Sequence, residues 1–274
     1  MDRQRPRAEP LPTRPPGGVA PGTTAPAADG AAEPDVPAES SQGWLARTLA
    51  RSKTDPLTDL LLTVPVFLVY HVGVVTLGVR NAADPLTAEL VKLARHNTWL
   101  YWTLTLGIGV VLASVLLALH RKERFESWRF GMVAVEGVVY AVLMRFGAGW
   151  VVGALPLGPP GVLGRWDGFV VSLGAGFYEE LLWRVGLFGV GALVLRWLVK
   201  EPGKRVTYTL VWALAAAAAF SGWHHLGELG DPWNARVFAF RTVCGTFFTA
   251  VFALRGFATV VWTHALYDVW VLVL

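Results

Sequence analysis

Cysteine is almost missing from this chain: Cys244 stands alone among 274 residues. One thiol can form neither an internal disulfide nor a thiolate zinc cluster, so Cys244, inside an apolar run, reads as core packing. Charge is scarce too. Only 16% of the residues are Asp, Glu, Lys or Arg, against about 25% in an average soluble domain. No basic, aromatic-interleaved stripe occurs outside the apolar runs, so no nucleic-acid partner is expected. No apolar stretch of roughly 7–15 residues stands near the start, and a cleaved signal peptide is not expected either. H-E-x-x-H is absent, which removes the zincin site. No Gly-rich serine motif pairs with a distant histidine, and Ser172 and Ser221 read as helix-packing residues. An intramembrane aspartyl dyad needs two deep aspartates, and Asp268 is the only one.

What is present is apolar and aromatic: 54% hydrophobic residues and 13 tryptophans, a residue that concentrates at membrane–water interfaces. Seven apolar runs, at 60–79, 99–119, 130–154, 168–199, 208–223, 237–254 and 257–274, each lie near the ~20 residues that cross a bilayer. The expected fold is all-α, a polytopic transmembrane helix bundle of about seven spans. The fourth run is overlong and is expected to tilt or break near Gly174 and Gly176. Between the first two, "PLTAELVKLARHNTW" has the spacing of an interfacial helix. Ahead of the spans, residues 1–42 hold nine of the 17 prolines and lack the large apolar side chains that would offset ordering entropy. We therefore divide the chain into a disordered tail and surface segment, 1–56, and a membrane domain, 57–274.

Lys and Arg in the loops set orientation. Twelve fall on one side of the bundle and five on the other, which places the N-terminus in the cytoplasm. The expected location is a bacterial inner membrane, as a multi-pass protein with lipid as its immediate partner.

Against this background "GFYEELLWRVG" stands out, because charged groups at a bilayer centre cost roughly 2.5–3.5 kcal/mol each. On a helix turning roughly 100° per residue, Glu180 and Arg184 share a face at i and i+4. Glu179 points elsewhere, free to meet another helix and placed for general-base work. A second polar island, "FSGWHH", puts Phe220 beneath His224 at i and i+4. A third, "THALYDVW", does the same for His264 and Asp268. Each alone also has a structural reading: a packing network for Glu179, Glu180 and Arg184, an interfacial histidine at a helix end for His224, and an isolated polar pair for His264 and Asp268.

Together, "EELLWR", "FSGWH" and "HALYD", in that order and each in its own late span, resemble the CPBP family. That family comprises the CAAX prenyl endoproteases and the bacteriocin-processing or immunity proteins also called Abi. The resemblance covers roughly 130–274. It implies an intramembrane endopeptidase in which Glu179 and His224 activate water, His264 and Asp268 stabilise the oxyanion, and Glu180 and Arg184 support Glu179. No cofactor is expected, although Glu179, His224 and His264 are the residues that could hold zinc with water as fourth ligand. The implied substrates are membrane-anchored, prenylated or exported proteins and peptides. An outward-opening site would suit a myxosortase-type member, which cuts near C-terminal anchors. The alternatives are a non-catalytic binding or immunity protein and a proton-coupled transporter, and the latter predicts internally repeated halves that the sequence does not display.

Overall fold

The computed structural model describes residues 56–95, 97–119, 126–153, 164–226 and 230–274. The expected disordered tail and most of the surface segment lie outside these residues. Eight helices account for the described chain, with no strand among them: α1 (Pro56–Leu77), α2 (Pro85–Leu93), α3 (Thr98–Leu119), α4 (Trp128–Val152), α5 (Arg165–Leu198), α6 (Pro202–Trp223), α7 (Ala235–Arg255) and α8 (Phe257–Leu272). Five of them, α1, α4, α5, α6 and α7, are long and apolar enough to cross a membrane. Of the other two expected spans, the second run forms α3, 22 residues long, and the last forms α8, at 16 residues shorter than its apolar run. The fold is thus all-helical and multi-pass, with five full-length candidate spans. The interfacial segment forms α2, which starts where Asp84 accepts the Thr87 N–H at 2.8 Å and Pro85 fills the first helical position.

α8 is central, packed against α4, α5, α7 and α1. Its N-terminus is capped from far away: the Asp59 carboxylate on α1 accepts the Phe257 N–H at 2.6 Å. One core cluster joins Val66 and Tyr70 of α1, Val170 and Phe177 of α5, and Val261 and Ala265 of α8. A second joins Met144 and Ala148 of α4 to Phe240, Cys244, Phe248 and Val251 of α7. Cys244 is therefore core packing, as its apolar context predicts. Away from these seams, Leu182, Leu193, Val194, Leu210 and Val211 are exposed, as lipid-facing residues would be.

The charges outside the three motifs find simple partners. Glu136 on α4 takes a two-pronged ion pair from Arg255 on α7, at 2.5 and 3.1 Å. Arg145 lies over the Trp270 ring, 5.0 Å from its centroid. Arg241 pairs with Asp231 at 2.6 Å. Ser221 donates across to the Phe238 carbonyl of α7 at 2.8 Å, a helix-packing use, whereas Ser172, fully buried, donates to the Gly168 carbonyl of its own helix at 2.7 Å.

The overlong fourth run does not break. It changes pitch: α5 is α-helical to Gly174, π-helical over Ala175–Glu179 and Leu181–Gly189, and α-helical again from Val190. In π turns the hydrogen bonds run i→i+5, and such turns cluster at functional sites. Each residue therefore turns through less than in an α-helix, and neighbouring side chains diverge less. One of the helix carbonyls here, Leu187 O, accepts from the Trp212 indole at 3.1 Å.

Candidate active site

Two glycines let the helices close around this π segment. A Cβ on Gly176 would stand 2.7 Å from Ala265 Cβ and 2.8 Å from Val261 O, so α5 and α8 meet backbone to backbone. A Cβ on Gly174 would collide with the Tyr70 ring and come within 2.9 Å of Asn81 Cβ. The first approach brings His264 to the Glu179–Glu180 pair, and the second brings in the α1–α2 connection.

Both carboxylates then reach one imidazole. Glu180 Oε1 accepts from His264 Nδ1 at 2.6 Å, while Glu179 Oε2 lies 4.0 Å from His264 Nε2. Asp268 Oδ2 stands 3.5 Å from the same Nε2, one helical turn along α8. His224, the C-cap of α6, points its Nε2 at Glu179 Oε2 across 3.7 Å. Its Nδ1 donates to the Phe220 carbonyl at 2.9 Å, which leaves Nε2 as the acceptor in the neutral ring. The structure thus brings Glu179, Glu180, Arg184, His224, His264 and Asp268 into one cluster. His225 is turned out of it, bonding the Asp231 carbonyl at 3.1 Å and packing on Trp233.

Arg184 lies beneath the cluster, only 1% exposed. Its Nε is 3.1 Å from Glu180 Oε2, an ion pair without an aligned hydrogen bond. Its guanidinium sits 4.4 Å from the Phe220 ring centroid and 5.1 Å from that of Phe248. Two aromatic faces and one carboxylate therefore compensate a cation that would otherwise be very costly to bury. Phe220 also packs edge-on against His224, with centroids 4.9 Å apart, and Phe248 stacks on His264 at 4.5 Å and 24°.

Several buried atoms here lack a hydrogen bond: Glu180 Oε2 and Arg184 Nε, which face each other in the ion pair, Arg184 Nη1, the Trp183 indole nitrogen, and one oxygen of Glu179. Glu179 Oε1 accepts from Asn81 Nδ2 at 3.1 Å, but Oε2 is buried and makes no hydrogen bond to any described residue. Buried polar atoms are almost always satisfied, so an unbonded carboxylate oxygen aimed at two imidazoles calls for a chemical explanation.

Two residues here are invisible to motif reading. Phe248 looks like any aromatic of an apolar helix. Asn81 sits in a short loop 98 positions before its partner. The role of Glu180 is also wider than its i,i+4 spacing suggests, because its second oxygen orients His264. No local signal announces that bond.

The donor set has mixed qualities as a zinc site. The outer ring nitrogens are held as zinc ligands usually are, His264 by a carboxylate and His224 by a carbonyl. Against this, His264 Nε2 faces Asp268 as well, an arrangement satisfied by an N–H rather than by a ligating lone pair. Among the described residues no three His, Cys, Asp or Glu side chains are grouped closely enough to hold a metal.

An all-helical membrane bundle with a buried cluster of carboxylates and imidazoles has the makings of an intramembrane hydrolase. Residues 161–270 match the family model described as Type II CAAX prenyl endopeptidase Rce1-like. That region carries all three motifs, and the match supports a CPBP-family intramembrane protease. No curated protein and no solved structure matches the chain.

Proposed function

We propose that the protein is an intramembrane endopeptidase that cleaves membrane-anchored proteins or peptides by a Glu/His-activated water, without a metal. The observation that carries this reading is Glu179 Oε2, unbonded and buried, 3.7 Å from His224 Nε2 and 4.0 Å from His264 Nε2. A water at hydrogen-bond distance, about 2.8 Å, from both Glu179 Oε2 and His224 Nε2 spans such a gap easily. Both are acceptors, so the water's protons point at them and its lone pair is free to attack.

Glu179 takes a proton while the water oxygen forms a bond to the scissile carbonyl carbon. The carbonyl oxygen becomes an oxyanion, stabilised by the His264 Nε2–H and by Asp268 in its protonated form. As the intermediate collapses, the C–N bond breaks and Glu179 returns its proton to the departing amine nitrogen. Glu180 holds the His264 ring, and Arg184 holds Glu180.

Were zinc to sit here, Glu179, His224 and His264 would hold it, and it would supply a water of lowered pKa. The contact between Asp268 and His264 Nε2 favours the metal-free reading. The substrates in this proposal are exported or prenylated proteins held in the membrane. The loop charge bias supports a site that opens away from the cytoplasm, as in a myxosortase-type member.

The test is cleavage by the purified protein of membrane-anchored peptides, with and without a prenylated C-terminus, comparing wild type with Glu179→Gln and adding a chelator. Cleavage lost in Glu179→Gln and indifferent to chelator is the expected result. Equal cleavage by the variant would overturn the mechanism. Chelator inhibition reversed by zinc would replace it with the metal-dependent one. Labelling of single cysteines placed near Gly230 reports the side, and labelling from the cytoplasm alone would refute an outward opening.

A further inference from the structure

The α1–α2 connection, Gly78 to Asp84, lies about eighty residues before the family match begins. Nothing in the three motifs calls for it. Yet it carries buried polar side chains: Asn81 is 5% exposed and Asp84 0%, as is Thr87 in the first turn of α2. It leaves α1 at Gly78, whose φ of 70° is readily available only to glycine, and folds back along the helix. The Asn81 N–H donates to the Tyr70 hydroxyl at 3.2 Å, eleven residues upstream. The same hydroxyl donates to Asp84 Oδ2 at 2.7 Å, and Asp84 Oδ1 caps α2. Arg80 closes the turn from outside by donating to the Asp84 carbonyl at 2.9 Å.

This framework decides how the Asn81 amide is turned. Its Oδ1 accepts the Ala83 N–H at 2.7 Å, so Nδ2 is the end that faces Glu179. A flipped amide would set two acceptors together at Glu179 and two donors together at Ala83, losing both bonds. Nδ2 therefore donates to Glu179 Oε1, and that bond fixes the plane of the carboxylate. With Oε1 anchored, Oε2 is directed at His224 and His264. Gly174 supplies the room, since any side chain there would displace Tyr70 and Asn81.

We infer that Asn81 is a positioning residue for Glu179, and that the α1–α2 connection is part of the active site. The inference rests on the reading of Glu179 as the water-activating base. It assigns catalytic relevance to a segment outside the region shared with the family.

Two measurements on the purified full-length protein test it. The first needs no substrate: thermal midpoints of wild type, Asn81→Ala, Glu179→Ala and the double variant. If the two side chains are bonded, the double variant loses less than the sum of the single losses, by about 3 °C or more. Additive losses would overturn the contact and the inference with it. The second uses a peptide that wild type cleaves. Asn81→Asp keeps the size of the side chain and the acceptor for Ala83 but removes the donor to Glu179. It is expected to lower kcat about 10- to 100-fold, with KM within about twofold, because sub-ångström misplacement of a reacting group acts on the chemical step. Asn81→Asp with wild-type kcat, or a loss confined to KM, would refute the positioning role. If wild type cleaves nothing, the proteolytic reading falls on its own, and the thermal cycle alone still decides whether Asn81 holds Glu179.

Discussion

Glu180 and His264 are 84 residues apart in the chain, yet Glu180 Oε1 receives the His264 Nδ1 proton donor at 2.6 Å with both side chains almost wholly buried. This bond ties the π segment of α5 to the middle of α8. It makes the second glutamate of the pair more than a counter-ion for Arg184, because one carboxylate touches the cation with one oxygen and the imidazole with the other.

Glu180→Gln should therefore damage both stability and chemistry. It leaves Arg184 buried with no neighbouring charge partner at that end, a change that typically costs about 3–5 kcal/mol. The thermal midpoint is expected to fall by roughly 6 °C or more, and the fraction that remains folded should cleave more slowly. A variant with unchanged midpoint would show that the ion pair is unimportant.

His224→Ala should separate the two effects. The His224 side chain is 25% exposed, and its one hydrogen bond goes to its own helix, so little stability depends on it. Loss of an acid–base partner costs about 10²- to 10⁴-fold in rate. We expect kcat to fall in that range while the melting curve stays within about 2 °C of wild type.

Phe248→Ala removes the ring stacked on His264 and one of the two faces covering Arg184. A buried Phe→Ala change costs about 3–5 kcal/mol. Phe248→Leu, which restores apolar volume without the π face, should recover most of the stability but not all of the cleavage rate. Full recovery of both would reduce Phe248 to filler.

Arg255→Ala serves as the control away from the chemistry. It strands Glu136, whose side chain is 23% exposed, and should cost about 1–3 kcal/mol of stability. Because neither residue touches the cluster, kcat and KM of the folded protein should match wild type. A selective fall in kcat would mean that the α4–α7 tie sets the geometry of α8.

The legible part of this site is the part that helical periodicity makes local. Glu180–Arg184, Phe220–His224 and His264–Asp268 are each four residues apart, and all three pairs meet at 3.1, 4.9 (ring centroids) and 3.5 Å. The membrane character was equally open to reading, since hydrocarbon solvent selects composition directly. Span number was less so: the last apolar run, 257–274, becomes a helix of only 16 residues, Phe257–Leu272. Glu136 and Arg255, 119 residues apart, gave no hint of pairing.

From the order of residues alone came an all-helical membrane protein, three polar islands in late spans, and the separation of a paired glutamate from its free neighbour. Only the tertiary structure decided that the islands share one cluster, that Asn81 and Phe248 belong to it, and that α5 changes pitch where it carries the carboxylates. The reason is physical. Contacts at i and i+4 follow from the helix itself, whereas the Glu180–His264 and Asn81–Glu179 bonds exist because Gly176 and Gly174 let backbones and a folded-back loop come within reach, and sequence spacing carries no record of such approaches.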